Sequence, residues 1–132
     1  DQDPEWKTSG RVLLVDDEEA VRLVCGQMLE RLGYDVVEAT DGLEALALLA
    51  RQPEAVDCVV LDLSMPRMGG EAALRELRAL RPDLPVLLAS GYTLPANLEQ
   101  PPGGGPFAFI QKPYRSRELA EKLRSLLGGS SP

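Results

Sequence analysis

Short apolar runs that end in a polar or charged side chain recur along this chain, with helix-spaced segments between them. Arg11-Val-Leu-Leu-Val15 ends in Asp16-Asp17. Tyr34 to Ala39 contains Tyr34, Val36 and Val37. Val56 to Leu61, interrupted in polarity only by Asp57, ends at Asp62. Val86-Leu-Leu-Ala89 ends at Ser90, and Phe107-Ala-Phe-Ile110 ends near Lys112. Runs this short and this apolar suit strands buried on both faces, the environment of a parallel sheet covered by helices on each side. Strands alternating with helices in this way predict an α/β fold. The expected architecture is a doubly wound, five-stranded parallel sheet of flavodoxin type, in strand order 2-1-3-4-5.

The helical segments carry their own signals. Val21, Val24, Cys25, Met28, Leu29 and Leu32 recur at steps of three and four between Glu18 and Leu32, which is one helical face, and Gly33 supplies a stop. Asp41-Gly-Leu-Glu44 is like a capping box and opens a helix carrying Ala45, Leu46, Leu48 and Leu49, which Pro53 ends. Gly69-Gly70 precedes a helix with Ala73, Leu74, Leu77 and Leu80 on one face, and Pro82 and Pro85 bracket the turn after it. Ser116 is the expected cap of a last helix whose Leu119, Leu123, Leu126 and Leu127 face inward, with Gly128-Gly129 as its stop.

One interval departs from the pattern. Thr93 to Gln100 contains Pro95 and, as large apolar residues, only Leu94 and Leu98. Pro101-Pro-Gly-Gly-Gly-Pro106 has no helix former. The helix due between the fourth and fifth strands is therefore expected to be short or missing, with a long loop in its place.

The totals narrow the chemistry. A chain of 132 residues with 44% hydrophobic content suits one domain able to bury a core. The expected boundaries are a polar linker over 1–10, the folded domain over 11–127 and a tail over 128–132. The net charge of −7 argues against direct nucleic-acid binding, because phosphate backbones attract basic patches. No apolar run approaches the ~18 residues of a membrane span, and the polar start has no signal-peptide character. Cys25 and Cys58 each lie in an apolar segment without a CxxC pairing, so buried free thiols in a reducing cytoplasm are expected. There is no histidine. That removes Ser-His-Asp triads, HExxH zinc sites and a phosphohistidine on these residues, and leaves carboxylates, hydroxyls and lysine to do chemistry.

In doubly wound sheets, ligands bind at the carboxyl ends of the strands. Here those ends offer Asp16 and Asp17, then Asp62, Ser90 and Lys112, on strands that the expected order places side by side. Each is ordinary alone: Asp-Asp is a frequent turn or cap, Ser-Gly a turn, and Lys before Pro a solvated surface. Together they are a set. Clustered carboxylates repel unless a cation joins them. Oxygen-only ligands suit Mg²⁺ or Mn²⁺. A hydroxyl and a lysine alongside would hold an anion's oxygens, which matches phosphoryl transfer to a carboxylate.

Leu14-Val-Asp-Asp-Glu18, Val60-Leu-Asp-Leu-Ser-Met-Pro66 with Met68-Gly-Gly70, Ala89-Ser-Gly91 and Gln111-Lys-Pro113 resemble the motifs of response-regulator receiver domains, in the same order and spacing, and Thr40-Asp-Gly-Leu-Glu-Ala-Leu46 fits the family's second helix. The resemblance spans about Arg11 to Leu127. It implies that Asp62 accepts the phosphoryl group. It implies that Asp17 and Asp62 bind Mg²⁺, with Asp16 acting through water and the carbonyl of Ser64 completing the ligands. Ser90 and Lys112 would contact the phosphoryl group, Ser90 and Phe109 would form the switch, and Pro113 would follow a cis peptide bond. Phe109 lacks the hydroxyl that many relatives carry there.

The implied partner is a histidine kinase or histidine phosphotransfer protein as donor, in the cytoplasm. The Ser90-Gly-Tyr92 and Gln111-Lys-Pro113 variants are similar to receivers fused to hybrid histidine kinases, so an upstream kinase linked through residues 1–10 is an expectation. No DNA-binding output domain is expected after the last helix. The loop from Leu94 to Pro106 is expected to order on phosphorylation or partner binding. Two other readings remain open on the residues. A phosphatase of haloacid-dehalogenase type also uses an aspartate nucleophile, but wants Asp-x-Asp on its first strand and usually a cap domain. A degenerate receiver that serves only for docking would not need the complete acidic, hydroxyl and lysine set.

Overall fold

The strands β1 (Arg11–Val15), β2 (Asp35–Ala39), β3 (Cys58–Asp62), β4 (Val86–Ser90) and β5 (Phe107–Gln111) form one sheet in the order β2-β1-β3-β4-β5. Every pairing is parallel, with Val15 beside Ala39 and Leu61, Asp62 beside Ala89, and Ser90 beside Gln111. The computed structural model describes residues 10–52, 54–62, 70–90, 107–112 and 114–127. The interval expected to hold a short or missing helix, 91–106, lies outside the described residues, as do the expected linker up to residue 9 and the tail 128–132.

Helices α1 (Glu19–Arg31), α2 (Gly42–Arg51), α3 (Gly70–Leu80) and α4 (Ser116–Leu126) complete the described elements. They divide the core in two, because strand side chains alternate between faces. On one face Leu13, Val15, Val59, Leu61, Val86 and Leu88 pack with α2 and α3. On the other, Val12, Leu14, Cys58, Val60, Leu87 and Ala89 pack with α1 and α4. All five residues of β3 and of β4 are buried, as near-continuous apolar runs predict.

Gly33 ends α1 in a Schellman motif. Its φ is +103°, Gly33 N donates to Glu30 O at 3.0 Å, and Tyr34 N donates to Leu29 O at 3.0 Å. Leu29 and Tyr34 then pack in the same core cluster. Replacing Gly33 by alanine is expected to cost about 1–2 kcal/mol in urea unfolding, because a Cβ is disfavoured at this φ.

The expected details differ in four places. Val24 lies on the apolar stripe of α1 but is 52% exposed, and Leu80 of α3 is 44% exposed, because the sheet covers a narrower arc than either stripe. Ser116 is the first helical residue of α4 and is buried. Arg115 is the cap, and its N–H donates to Glu118 Oε1 at 3.0 Å. The capping box of α2 is shifted: Asp41 Oδ1 accepts from Glu44 N at 2.9 Å as expected, but Glu44 Oε1 accepts from Thr40 N and Thr40 Oγ1. These bonds, the backbone one first, hold the Glu44 carboxyl below its usual range. Leu126 and Leu127 are only partly buried against the core.

Candidate functional site

The carboxyl ends of β1, β3, β4 and β5 converge. Asp62 is the last residue of β3, and Ser90 the last of β4. Asp16 follows β1 and Lys112 follows β5 by one residue. Asp16, Asp62 and Ser90 are each only 3% exposed, whereas Asp17 is exposed.

Asp16, Asp17 and Asp62 each offer a carboxylate oxygen, and these atoms lie within 4.8 Å of one another. Like charges about 4 Å apart cost about 4 kcal/mol per pair at an effective dielectric near 20. Lys112 offsets part of this. Its Nζ lies 3.1 Å from Asp16 Oδ2 and 3.3 Å from Asp62 Oδ1. Burial is the largest single influence on Lys112 and lowers its pKa. The hydrogen bonds to Asp16 and Asp62 and the charges of both acids together outweigh it, so the ammonium is held above its ordinary range. One ammonium among three carboxylates still leaves excess negative charge, and the donors are all oxygen. The cluster therefore has the chemistry of a site for a hard divalent cation that keeps some of its water.

The loop bearing these acids is tied down. Asp16 N donates to Ala39 O at 3.2 Å, and Asp16 Oδ1 accepts from Glu18 N at 2.9 Å. The Asp16 carbonyl accepts from Arg22 Nη1 at 2.8 Å. Lys112 N donates to Ser90 O at 2.8 Å, which fixes the root of the lysine against β4.

The response regulator receiver domain model matches residues 12–124, nearly the whole chain. The chain belongs to the receiver-domain family. Over 119 residues this receiver is 40% identical to the sensor kinase CckA of Brucella abortus (strain 2308), covering 90% of this chain and 13% of that protein. It is 38% identical over 122 residues to the response regulator MprA of Mycobacterium sp. (strain KMS), covering 92% of this chain and 52% of that protein. The receiver thus spans a small fraction of one of these relatives and about half of the other. A crystal structure of the receiver domain of sensor histidine kinase PA1611 from Pseudomonas aeruginosa PAO1, with a magnesium ion coordinated in its active site cleft, superposes with a TM-score of 0.79 at 28% identity. The match covers 92% of this chain and 99% of that one. Receivers are signalling domains that accept a phosphoryl group in two-component systems, and the acidic pocket suits that role.

Of the residues expected to form the receiver site, the structure brings Asp16, Asp17, Asp62 and Lys112 into one cluster. Ser90 ends the strand beside β3, and Phe109 is half-buried on β5 opposite Leu88. Alternation puts Ser90 and Phe109 on the face that carries α2 and α3, one step apart on neighbouring strands. Ser64 and Pro113 lie outside the described residues.

Two contacts had no sequence signal. Arg22 reaches the Asp16 carbonyl, and Tyr114 donates from its hydroxyl to Cys25 Sγ at 3.0 Å. Both link residues on different elements, and nothing in local spacing marks them. Both thiols are free and buried. Burial pushes Cys25 up to about 11 and Cys58 up to about 12, so both are protonated at neutral pH and are packing groups rather than nucleophiles. Burial likewise raises the Tyr114 phenol.

Proposed function

We propose that this receiver takes a phosphoryl group on Asp62, with Mg²⁺ or Mn²⁺ held by Asp16, Asp17 and Asp62, and changes conformation to pass the signal on. The observation that carries the reading is the buried Asp62 carboxylate, placed 3.3 Å from Lys112 Nζ and within 4.8 Å of two further acids. A carboxylate oxygen of Asp62 attacks phosphorus. The new O–P bond forms as the P–N bond of a phosphohistidine donor breaks, and the imidazole leaves with the electron pair. Lys112 offsets the charge that spreads over the phosphoryl oxygens in the transition state, and the Ser90 hydroxyl donates a hydrogen bond to them. The cation, when bound, supplies further neutralisation of that charge. Once phosphorylated, Asp62 carries added charge and strong acceptors. Ser90 is drawn toward them, and Phe109 moves into the space it leaves.

The donor lies outside these residues, which contain no histidine. Beside the acidic pocket runs an apolar groove of about 340 Å³ lined by Val21, Val24, Cys25, Met28, Lys112 and Tyr114. Because the groove shares Lys112 with the pocket, a histidine kinase or phosphotransfer protein seated on it would have its phosphohistidine close to Asp62. Val24→Arg is expected to slow transfer from such a donor about tenfold, a loss typical of one good interface contact. Labelling by acetyl phosphate would stay within about twofold; an equal loss in both assays would mean that the pocket itself had been disturbed. The likeness to the receiver of a sensor kinase supports a place in a hybrid kinase, with residues 1–10 as linker, 11–127 as receiver and 128–132 as tail, working in the cytoplasm.

The test is amide NMR of the protein with Mg²⁺ and beryllofluoride. The reading expects metal-dependent shifts centred on Asp62, Ser90 and Lys112 and extending to Phe109. A spectrum unchanged by both additions would sink it and favour a docking-only receiver.

A further inference from the structure

The carbonyl of Asp16 is in an unusual position for a strand end. Gly10 O accepts from Asp35 N and Asp16 N donates to Ala39 O, so the even-numbered residues of this stretch turn their backbone groups toward β2. The next donor on that ladder would be the N–H of Asp41, but Asp41 is already the cap of α2 and the chain has turned away. The guanidinium of Arg22 takes that place: Nη1 donates to Asp16 O at 2.8 Å, while Nε donates to Glu38 Oε1 of β2 at 3.1 Å. The Arg22 side chain is 13% exposed, so the fork is held by packing as well as by its two partners. Glu38 is half exposed, and an ion pair of that kind adds little stability by itself. Its effect is to aim the guanidinium.

Holding the Asp16 carbonyl sets the plane of the Asp16–Asp17 peptide group. Asp16 is also anchored through both carboxylate oxygens, to Glu18 N and Lys112 Nζ. That peptide plane sets the backbone N and Cα of Asp17, the base from which its exposed carboxylate projects into the acidic cluster. We propose that Arg22, aimed by Glu38, is a positioning residue for the cation-binding carboxylates of this receiver. The inference rests on the proposed metal site.

Electrostatics and positioning predict opposite signs, which makes the idea testable. If Arg22 acted only through its charge, removing it would tighten binding of a cation. If it positions Asp17, removing it weakens binding, and loss of an outer contact of this kind typically costs about tenfold or more. The experiment is calorimetric titration of Mg²⁺, paralleled by Mn²⁺ electron paramagnetic resonance, on the wild type, Arg22→Gln, Arg22→Lys and Glu38→Gln. Circular dichroism in EDTA serves as the folding control. The expected result is a Kd raised about tenfold in Arg22→Gln, not restored by Arg22→Lys, which keeps the charge but loses the planar fork. Glu38→Gln, with Arg22 intact, should give a smaller rise and keeps the test open if Arg22→Gln fails to fold. An unchanged or lowered Kd in folded Arg22→Gln, or full rescue by lysine, would overturn the proposal. A wild type that binds neither ion would overturn the metal site itself, and this proposal with it.

Discussion

Asparagine at position 62 is expected to abolish phosphoryl incorporation from acetyl phosphate and to stabilise the domain in the absence of metal. The first effect follows from chemistry: an amide is not a nucleophile toward phosphorus, and Asp62 is the buried carboxylate at the centre of the cluster. The second follows from two opposing terms. The substitution forfeits the ion pair with Lys112 at 3.3 Å, but relieves repulsion from both Asp16 and Asp17. Lys112 keeps Asp16 as its partner at 3.1 Å. Relief of repulsion from two acids, set against the weakened ion pairing, predicts a gain on the order of 1 kcal/mol in EDTA. Thermal unfolding in EDTA and in Mg²⁺ measures it, and the gain should shrink in Mg²⁺ as the wild type is stabilised by binding. Destabilisation in EDTA would mean that Asp62 is held chiefly as the partner of a structural ion pair.

Methionine in place of Lys112 is expected to be the most damaging single change at the site. It preserves most of the stem but leaves two buried carboxylates facing each other without their ammonium. Breaking a buried pair by removing one partner costs roughly 3–5 kcal/mol. The lower end, about 3 kcal/mol, applies here because the lysine side chain retains 20% exposure. Mg²⁺ should recover part of the loss, since it neutralises the same oxygens, while phosphorylation should remain slow because no ammonium meets the phosphoryl group. The pH dependence has a definite sign. Lys112 is held above the ordinary lysine value of about 10.5 in the folded state. Its stabilisation is therefore fully present below that value and fades as pH rises through the higher folded value. Urea midpoints of wild type and Lys112→Met should differ by a constant amount from neutral pH to about pH 10, and converge only above it. Convergence near neutrality would show that Lys112 is not engaged with the acids.

The sheet is legible in the chain alone. Strands buried on both faces must be apolar nearly throughout, so Val59-Val-Leu61 and Val86-Leu-Leu-Ala89 are legible as strands without any partner in view, and with them the alternating fold, whose class carries the expected order that the pairing shows. The chain also marks candidates for a site, because the polar residues that end such runs, Asp16, Asp62, Ser90 and Lys112, stand out against them. Gly33 was legible as a helix stop, since few residues other than glycine accept its φ. The distances come only from the folded arrangement. Lys112, one residue beyond β5, reaches Asp16 beyond β1 although β3 and β4 lie between those strands, and only the twist of the sheet and the length of the side chain make that contact. The folded arrangement also decided how much of each apolar stripe is covered, leaving Val24 and Leu80 in water, and it supplied Arg22 to the Asp16 carbonyl. Periodicity records which face of an element is apolar. Which neighbour covers that face, and which donor takes up a carbonyl where a strand ladder stops, depends on elements far apart in the chain.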